Sequence, residues 1–308
     1  MNTLEWHSLT PHAMRVGESP FWHPQERRLY WIDNEAKCLW RAGGGGESAE
    51  RWDMPSAPGC IAPARRGGLV IALRDGIYRA ETWGAALTRL AAAQHDTAST
   101  RFNDGKADPQ GRFWAGTIYE PRDRADAALY CLDARGRQGN PALVRQLGGV
   151  TNANGLAFAP DGRTLYWADT TQHLVRAWEF DADSGVPGAQ RVFHQFAPKP
   201  PGWQPGQPGY GGRPDGAAID AQGNYWCALF EGARLVQLSP TGALLQELRL
   251  PVRCPTMPCF GGDDLRTLYV TTASYGRPPD ELAGLPQSGH VLWTRVDVPG
   301  RPVDFFID

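Results

Sequence analysis

Two stretches of the chain align without a gap, ESPFWHPQERRLYWID (18–33) and NGLAFAPDGRTLYWAD (154–169). Each begins with an apolar run, passes through a turn that contains proline and a basic residue, and ends in LYW-x-D. A second gap-free pair, NDGKADPQGRFWAG (103–116) and DGAAIDAQGNYWCA (215–228), places a shorter QG turn before an aromatic strand start. Internal similarity of this kind indicates a repeated supersecondary unit.

Two fainter copies fit the same frame, CIAPARRGGLVIAL (60–73) and MPCFGGDDLRTLYVTT (257–272). The six units recur every 40 to 59 residues when they are measured between the residues that begin their second strands. Units of about this length, with short strands and aromatic residues at fixed positions, are typical of propeller blades. The sequence therefore predicts an all-β fold, a six-bladed β-propeller. A two-sheet sandwich is the alternative, but it needs fewer copies than six.

The repeats run through nearly all of the 308 residues. We therefore expect residues 1–308 to form a single propeller domain. The start of the chain, TLEWHSL (3–9), and its tail, VDFFID (303–308), both resemble lone strands. We expect these two segments to pair and close the ring, because an open ring leaves two sheet edges unpaired.

Composition argues against several classes of partner. A net charge of −2 gives no basic footprint for nucleic acid, and no apolar run approaches the ~20 residues of a membrane span. The N-terminal residues lack the pattern of a signal peptide, so we expect a cytoplasmic protein. Six scattered cysteines without a CxxC motif are expected to be thiols. A closed ring requires no second copy, so a monomer is compatible with the sequence.

The first position of every aligned repeat predicts a ring of side chains at one end of the central channel. These positions hold Glu18, Cys60, Asn103, Asn154, Asp215 and Met257. Carboxylates that face one another repel unless a cation lies between them. The two carboxylates and two amides therefore predict an all-oxygen site for Ca²⁺, Mg²⁺ or Mn²⁺. For each residue alone, a role in starting a strand is the alternative, and Asp104 is interpreted as a turn-fixing residue.

Five segments together carry a family resemblance: VGESPFW (16–22), RFNDGKADPQGRFWAGT (101–117), NANGLAF (152–158), RPDGAAID (213–220) and PCFGGDDLRTLYVTTA (258–273). They resemble the sugar lactonases of the gluconolactonase, regucalcin (senescence marker protein) and luciferin-regenerating enzyme family. The resemblance covers almost the whole chain. It implies a six-bladed propeller with one divalent cation in the channel, which is Ca²⁺, Zn²⁺, Mn²⁺ or Fe²⁺ in different members.

Matched position by position, the resemblance implies that Glu18, Asn154 and Asp215 are the metal ligands. It implies that the substrate-binding residues are Arg101, Asn103 and, by a looser match, Glu120 in GTIYEP. Asp215 is also the candidate general base.

We thus predict a hydrolase acting on a carboxylic ester, a metal-dependent sugar lactonase that converts an aldonolactone to its aldonic acid. One alternative keeps the metal and changes the substrate, giving a propeller organophosphate or aryl-ester hydrolase. A second alternative is a non-catalytic cation-binding propeller. The sequence identifies neither the sugar nor the metal.

A long segment rich in proline and glycine, FAPKPPGWQPGQPGYGGRPDG (196–216), ends beside Asp215. Loops of this length at a site often form a lid or a pocket wall. Trp203 and Tyr210 are therefore candidates to cover the sugar, and a passive linker stiffened by proline is the alternative.

Overall fold

The computed structural model describes residues 4–136 and 141–308. Its strands form six four-stranded antiparallel sheets arranged as the blades of a propeller, which confirms the predicted fold class. Thr3, the first residue of the segment expected to begin the ring, lies outside the described residues.

The first three blades are built in chain order, and the N-terminal strand belongs to the last blade. The strands up to the third blade are β1 (His7–Ser8), β2 (Gly17–His23), β3 (Arg28–Asp33), β4 (Cys38–Gly43), β5 (Glu50–Asp53), β6 (Pro58–Pro63), β7 (Leu69–Leu73), β8 (Gly76–Ala80), β9 (Thr88–Ala92), β10 (Thr100–Ala107), β11 (Phe113–Tyr119), β12 (Ala127–Leu132) and β13 (Leu143–Val150).

The remaining blades follow the same plan, with one short helix inserted in the sixth. Their elements are β14 (Ala153–Phe158), β15 (Thr164–Asp169), β16 (Leu174–Asp181), β17 (Val186–Gln195), β18 (Arg213–Ile219), β19 (Tyr225–Phe230), β20 (Arg234–Leu238), β21 (Leu244–Arg249), β22 (Pro255–Gly261), β23 (Thr267–Thr272), α1 (Pro279–Gly284) and β24 (Leu292–Arg295). The innermost strands are β2, β6, β10, β14, β18 and β22.

In the described parts of the chain, no helix is long and apolar enough to cross a membrane. All six cysteines are buried and free. The expectation that they are thiols is therefore confirmed.

The ring closes with different partners from those expected. Strand β1 pairs with β24, with Ser8 opposite Leu292, and so completes the sixth blade. Among the described residues, the tail 303–308 does not pair with residues 4–9, which differs from the expected pairing. Instead Phe306 is fully buried and forms an isolated parallel bridge with Ala64 of the second blade. Burial between blades removes this aromatic ring from water, which an outermost strand would leave partly exposed.

The aspartates that end the LYW-x-D repeats anchor the innermost strands. Asp33 accepts hydrogen bonds from the backbone N–H groups of residues 15–16 at 2.8 and 3.1 Å. Asp169 accepts the matching pair from residues 151–152 at 3.1 and 3.3 Å. The repeated acid thereby fixes the point at which β2 and β14 enter the channel.

In the repeats with the QG turn, the acid lies within the turn and holds a buried tryptophan. Asp108 accepts the indole N–H of Trp114 at 2.8 Å, and Asp220 accepts that of Trp226 at 2.9 Å. Asp220 is fully buried. It also accepts the amide of Gln237 at 2.8 Å and two backbone N–H groups of its own turn at 2.9 Å.

We expect Asp220→Asn to lower the free energy of unfolding by about 3 kcal/mol, because an amide group replaces an acceptor oxygen and leaves buried donors unpaired. Asp161 is an exposed turn acid that accepts the N–H of Arg163 at 2.8 Å, so Asp161→Asn is the matched control. Urea unfolding monitored by tryptophan fluorescence measures both. Equal, small losses in the two variants would contradict the structural role of Asp220.

Candidate functional site

Every innermost strand loses its regular pairing at or beside the predicted ring of residues. The breaks in register fall between Glu18 and Phe21, Pro58 and Cys60, Phe102 and Gly105, Asn154 and Ala157, Pro214 and Ala217, and Pro255 and Met257. A bulge of this kind re-aims the side chains beside it. The four polar members, Glu18, Asn103, Asn154 and Asp215, thus meet at the entry end of the channel, and we name them the entry ring.

Hydrogen bonds orient the two amides of the entry ring. Asn154 donates its Nδ2 to the hydroxyl of Thr170 at 2.7 Å, which turns its Oδ1 towards the ring. Asn103 donates its Nδ2 to that Oδ1 at 3.0 Å, while its own Oδ1 accepts from Arg101 at 2.9 Å. Asn154 therefore turns an oxygen towards the ring. The Nδ2 of Asn103 also donates to the carbonyl oxygen of Ala153 at 2.9 Å, so both of its N–H groups are used in holding the fourth blade.

Thr170 connects this site to the next blade. Its hydroxyl donates to the carbonyl oxygen of Pro214 at 2.7 Å while accepting from Asn154. In the first blade, Asn34 occupies the same repeat position and donates to the carbonyl oxygen of Pro58 at 2.6 Å. The signal for this role was present in the repeats, since both residues directly follow LYW-x-D.

The two carboxylates of the entry ring have raised pKa values, because burial outweighs the positive charges near them. Burial raises the pKa of Glu18 well above its ordinary value, and the negative charges of Asp215 and Asp104 raise it further. Asp215 is 6% exposed, and burial raises its pKa to about 8, although the charge of Arg213 opposes the shift. Among the described residues, neither carboxylate forms an ion pair.

Asp104 contributes more than the turn-fixing role that the sequence suggests. One of its carboxylate oxygens accepts the backbone N–H of Leu156 at 2.8 Å and so braces the bulge of the fourth blade from the third. The other oxygen is buried without a hydrogen-bond partner among the described residues. Asp104 therefore adds a third acid to the interior of the site, and burial raises its pKa.

These donors fit a hard divalent cation. Glu18 and Asp215 supply carboxylate oxygens, Asn154 supplies an amide oxygen, and a cation between them would lower the pKa of both acids. Within residues 4–136 and 141–308, no group of three His, Cys, Asp or Glu side chains is placed to hold a metal. The amide oxygen of Asn154 is the third side-chain donor of the candidate set.

The predicted substrate-binding residues form one chain of contacts beside the ring. Arg101 contacts Asn103 through Nη1 and approaches Glu120 through Nε at 3.5 Å. Glu120 also accepts two hydrogen bonds from Arg74, at 2.8 and 3.0 Å. Arg74 was not apparent from the sequence, because it follows the weakest repeat.

The long loop before Asp215 is packed from within. Trp203 and Tyr210 are buried, and their ring centroids lie 5.1 Å apart. The ammonium group of Lys199 lies 4.9 and 5.2 Å from these two rings and bonds Glu231 at 2.7 Å. The two rings therefore stabilise the loop as a wall of the channel mouth, which argues against direct cover of a sugar by them.

A second space lies farther along the channel, where the innermost strands end. It is a cavity of about 110 Å³ whose lining includes Lys106, Cys259, Arg301 and Asp304. Its lining lacks the facing carboxylates of the entry ring, so the entry end of the channel is the candidate active site.

The chain matches the SMP-30/gluconolactonase/LRE-like family over residues 16–274. It is 44% identical to 6-deoxy-6-sulfogluconolactonase from Pseudomonas putida, with 92% of each chain covered. It is 32% identical to regucalcin from Danio rerio, with 94% of this chain and 93% of that one covered. A crystal structure of a calcium-binding protein, regucalcin from Agrobacterium tumefaciens, superposes with a TM-score of 0.89 at 24% identity and covers 99% of both chains.

In chelator-treated protein, we expect the free energy of unfolding to fall as the pH rises from about 4 to about 8. Asp215 binds its proton with a pKa of about 8 when folded, against roughly 4 when unfolded. The folded state holds the extra proton in this range, so stability is lost as pH rises through it. Asp215→Asn removes this titration and should flatten the profile obtained by urea unfolding.

Asp123→Asn, at an exposed position near the same mouth, is the control and should keep the wild-type pH profile. Superimposable profiles for wild type and Asp215→Asn would contradict the raised pKa.

Proposed function

The chain belongs to the SMP-30/gluconolactonase/LRE-like family and is a lactonase, and we propose that it hydrolyses a sugar lactone to the aldonic acid with a divalent cation held in the entry ring. The observation that carries this proposal is the meeting of Glu18 and Asp215 without an ion pair among the described residues, where burial outweighs the positive charges of Arg101 and Arg213. The oriented oxygen of Asn154 completes the donor set.

We assign Glu18, Asn154 and Asp215 as the cation ligands. When bound, the cation supplies Lewis-acid polarisation of the lactone carbonyl and stabilises the negative charge that develops there. An all-oxygen donor set favours Ca²⁺, Mg²⁺ or Mn²⁺ over Zn²⁺. The calcium-binding property stated for the Agrobacterium regucalcin supports Ca²⁺ as the first cation to test.

Asp215 is the proposed general base. Its carboxylate accepts a proton from the water that attacks the carbonyl carbon. Addition of the water forms the new carbon–oxygen bond and gives a tetrahedral carbon. Its collapse re-forms the carbonyl and breaks the ring carbon–oxygen bond, and Asp215 returns the proton to the departing ring oxygen. The balance is one lactone and one water converted to one aldonic acid.

Arg101, Asn103 and Glu120 are proposed to hold the sugar hydroxyls. Their contacts form one continuous row, in which Arg74 fixes the carboxylate of Glu120. Burial alone would raise the pKa of Glu120, but the hydrogen bonds and charge of Arg74, followed by the charge of Arg101, lower it. An ionised Glu120 accepts hydrogen bonds from hydroxyl groups, which favours a polyhydroxylated lactone over an aryl ester.

The name of the Pseudomonas relative indicates a gluconolactone that carries a sulfonate at carbon 6. We therefore include sulfonated as well as unsubstituted aldonolactones among the substrates of this chain.

The test is proton release from a panel of aldonolactones, with chelator-treated protein and single cations added back. We expect hydrolysis to return with one cation and Asp215→Asn to lower kcat by about 1,000-fold, the usual range for loss of a general base. Asp123→Asn should retain wild-type activity. Hydrolysis that is no faster than spontaneous ring opening, for every lactone and every cation, would overturn the proposal.

A further inference from the structure

Two arginines occupy the same repeat position on either side of the fourth blade. Arg101 and Arg213 each lie two residues ahead of an entry-ring residue, in strands β10 and β18. Each is paired in the same way, with Ile118 and with Phe230, just before an identical break in register. Residues two apart on a strand face the same side, so the third and fifth blades both place a guanidinium group on the solvent side of the ring.

The ion pairs around this mouth leave positive charge in excess. Glu120 is shared by Arg74 and Arg101. Glu231 is shared by Lys199, Arg213 and Arg277, and Glu281 is shared by Arg277 and Arg253. Six cations therefore share three carboxylates, although the whole chain has a net charge of −2. Arg213 is the most weakly held partner of Glu231, at 3.5 Å against 2.7 and 2.9 Å for the other two.

Arg122 adds a further cation at the same end of the channel. It follows β11 in a tight turn, where its backbone N–H bonds the carbonyl oxygen of Tyr119 at 3.1 Å. In the described part of the chain its guanidinium group forms no ion pair. Loss of solvent, followed by the positive charge of Arg213, lowers the pKa of Arg122, and its charge also acts on Asp215. The end of β11 also bonds the fourth blade, since the N–H of Tyr119 lies 3.1 Å from the carbonyl oxygen of Thr151. The turn that holds Arg122 therefore lies beside the blade that neighbours β18.

We propose that Arg122 and Arg213, which we name the basic rim, form an oxyanion site that selects sugar lactones carrying an anionic group remote from the reacting carbonyl. This inference rests on the proposed lactonase function. A lactone whose carbonyl lies at Asp215 extends outward along the channel. Arg213 lies two residues before Asp215, and two residues of strand span about 6.6 Å. The far end of a six-carbon lactone would therefore lie level with Arg213.

Guanidinium groups suit this role better than ammonium groups. They are weakly hydrated and present several N–H donors in a plane, which matches the oxygens of a sulfonate or a phosphate. Positive charge without matching carboxylates also favours the approach of anionic substrates. A sulfonate and a phosphate share a terminal oxyanion. The experiment below distinguishes between them.

The experiment compares kcat/KM for 6-deoxy-6-sulfogluconolactone, 6-phosphogluconolactone and unsubstituted gluconolactone, with the cation that restores activity. We expect at least one anionic lactone to exceed the neutral one by about 10-fold or more. Arg122→Gln and Arg213→Gln should each lower this ratio by about 10-fold, mainly through KM. Arg124→Gln is the matched control, because Arg124 is exposed and pairs with Asp126 at 3.1 Å, and its ratio should stay within twofold of wild type.

The outcomes separate this inference from the lactonase proposal. Equal hydrolysis of neutral and anionic lactones, or a ratio unchanged in Arg122→Gln, would overturn the basic rim and leave the lactonase standing. Hydrolysis of no lactone would overturn both. A preference over the neutral lactone that is seen only with the sulfonated or only with the phosphorylated lactone would support the basic rim and identify the anion that it binds. Arg122 lies in a surface turn, so Arg122→Gln gives a result even if Arg213→Gln does not fold.

Discussion

Repulsion between a buried carboxylate and a half-buried one is the constraint on which this site depends. Glu18 and Asp215 come from the first and fifth blades, and the propeller holds both at the entry end of one channel. Neither forms an ion pair among the described side chains, and Asp104 adds a third acid to the interior. Such a cluster is stable only if it is protonated or if a cation neutralises it. The raised pKa values correspond to the protonated state, and the proposed metal would neutralise the ionised state.

Hydrogen bonds that join neighbouring blades prevent the repelling carboxylates from moving apart. Asp104 holds the bulge of the fourth blade from the third, and Thr170 ties the fourth blade to the fifth. Asp220 holds the turn behind Asp215 through a buried tryptophan and glutamine. Hydrogen bonds between and within blades therefore keep the acids in place. The fixed carboxylates can then attract a cation into the site. The positive mouth then lies directly outside a negative interior.

Most of the fold followed from the repeats, because each gap-free match carries both the turn chemistry and the residue that enters the channel. The positions of Glu18, Asn103, Asn154 and Asp215 followed for the same reason. The way in which the ring closes did not follow from the repeats. The position of Phe306 depends on its burial between blades, and no local sequence pattern indicates such a contact. Arg74 and Arg122 were missed because they lie in loops outside the repeat. The orientation of Asn103 depends on Arg101 and Asn154 together, which only the assembled ring reveals.

The most direct test is calorimetric titration of chelator-treated protein with Ca²⁺ or Mn²⁺ at pH 7, in buffers of different ionisation enthalpy. The account predicts one cation per chain and release of roughly one proton, because Asp215 is largely protonated before the cation binds and must lose that proton to become a ligand. Glu18→Gln should weaken this binding strongly. Binding without proton release, or binding unchanged in Glu18→Gln, would contradict a cation held in the entry ring.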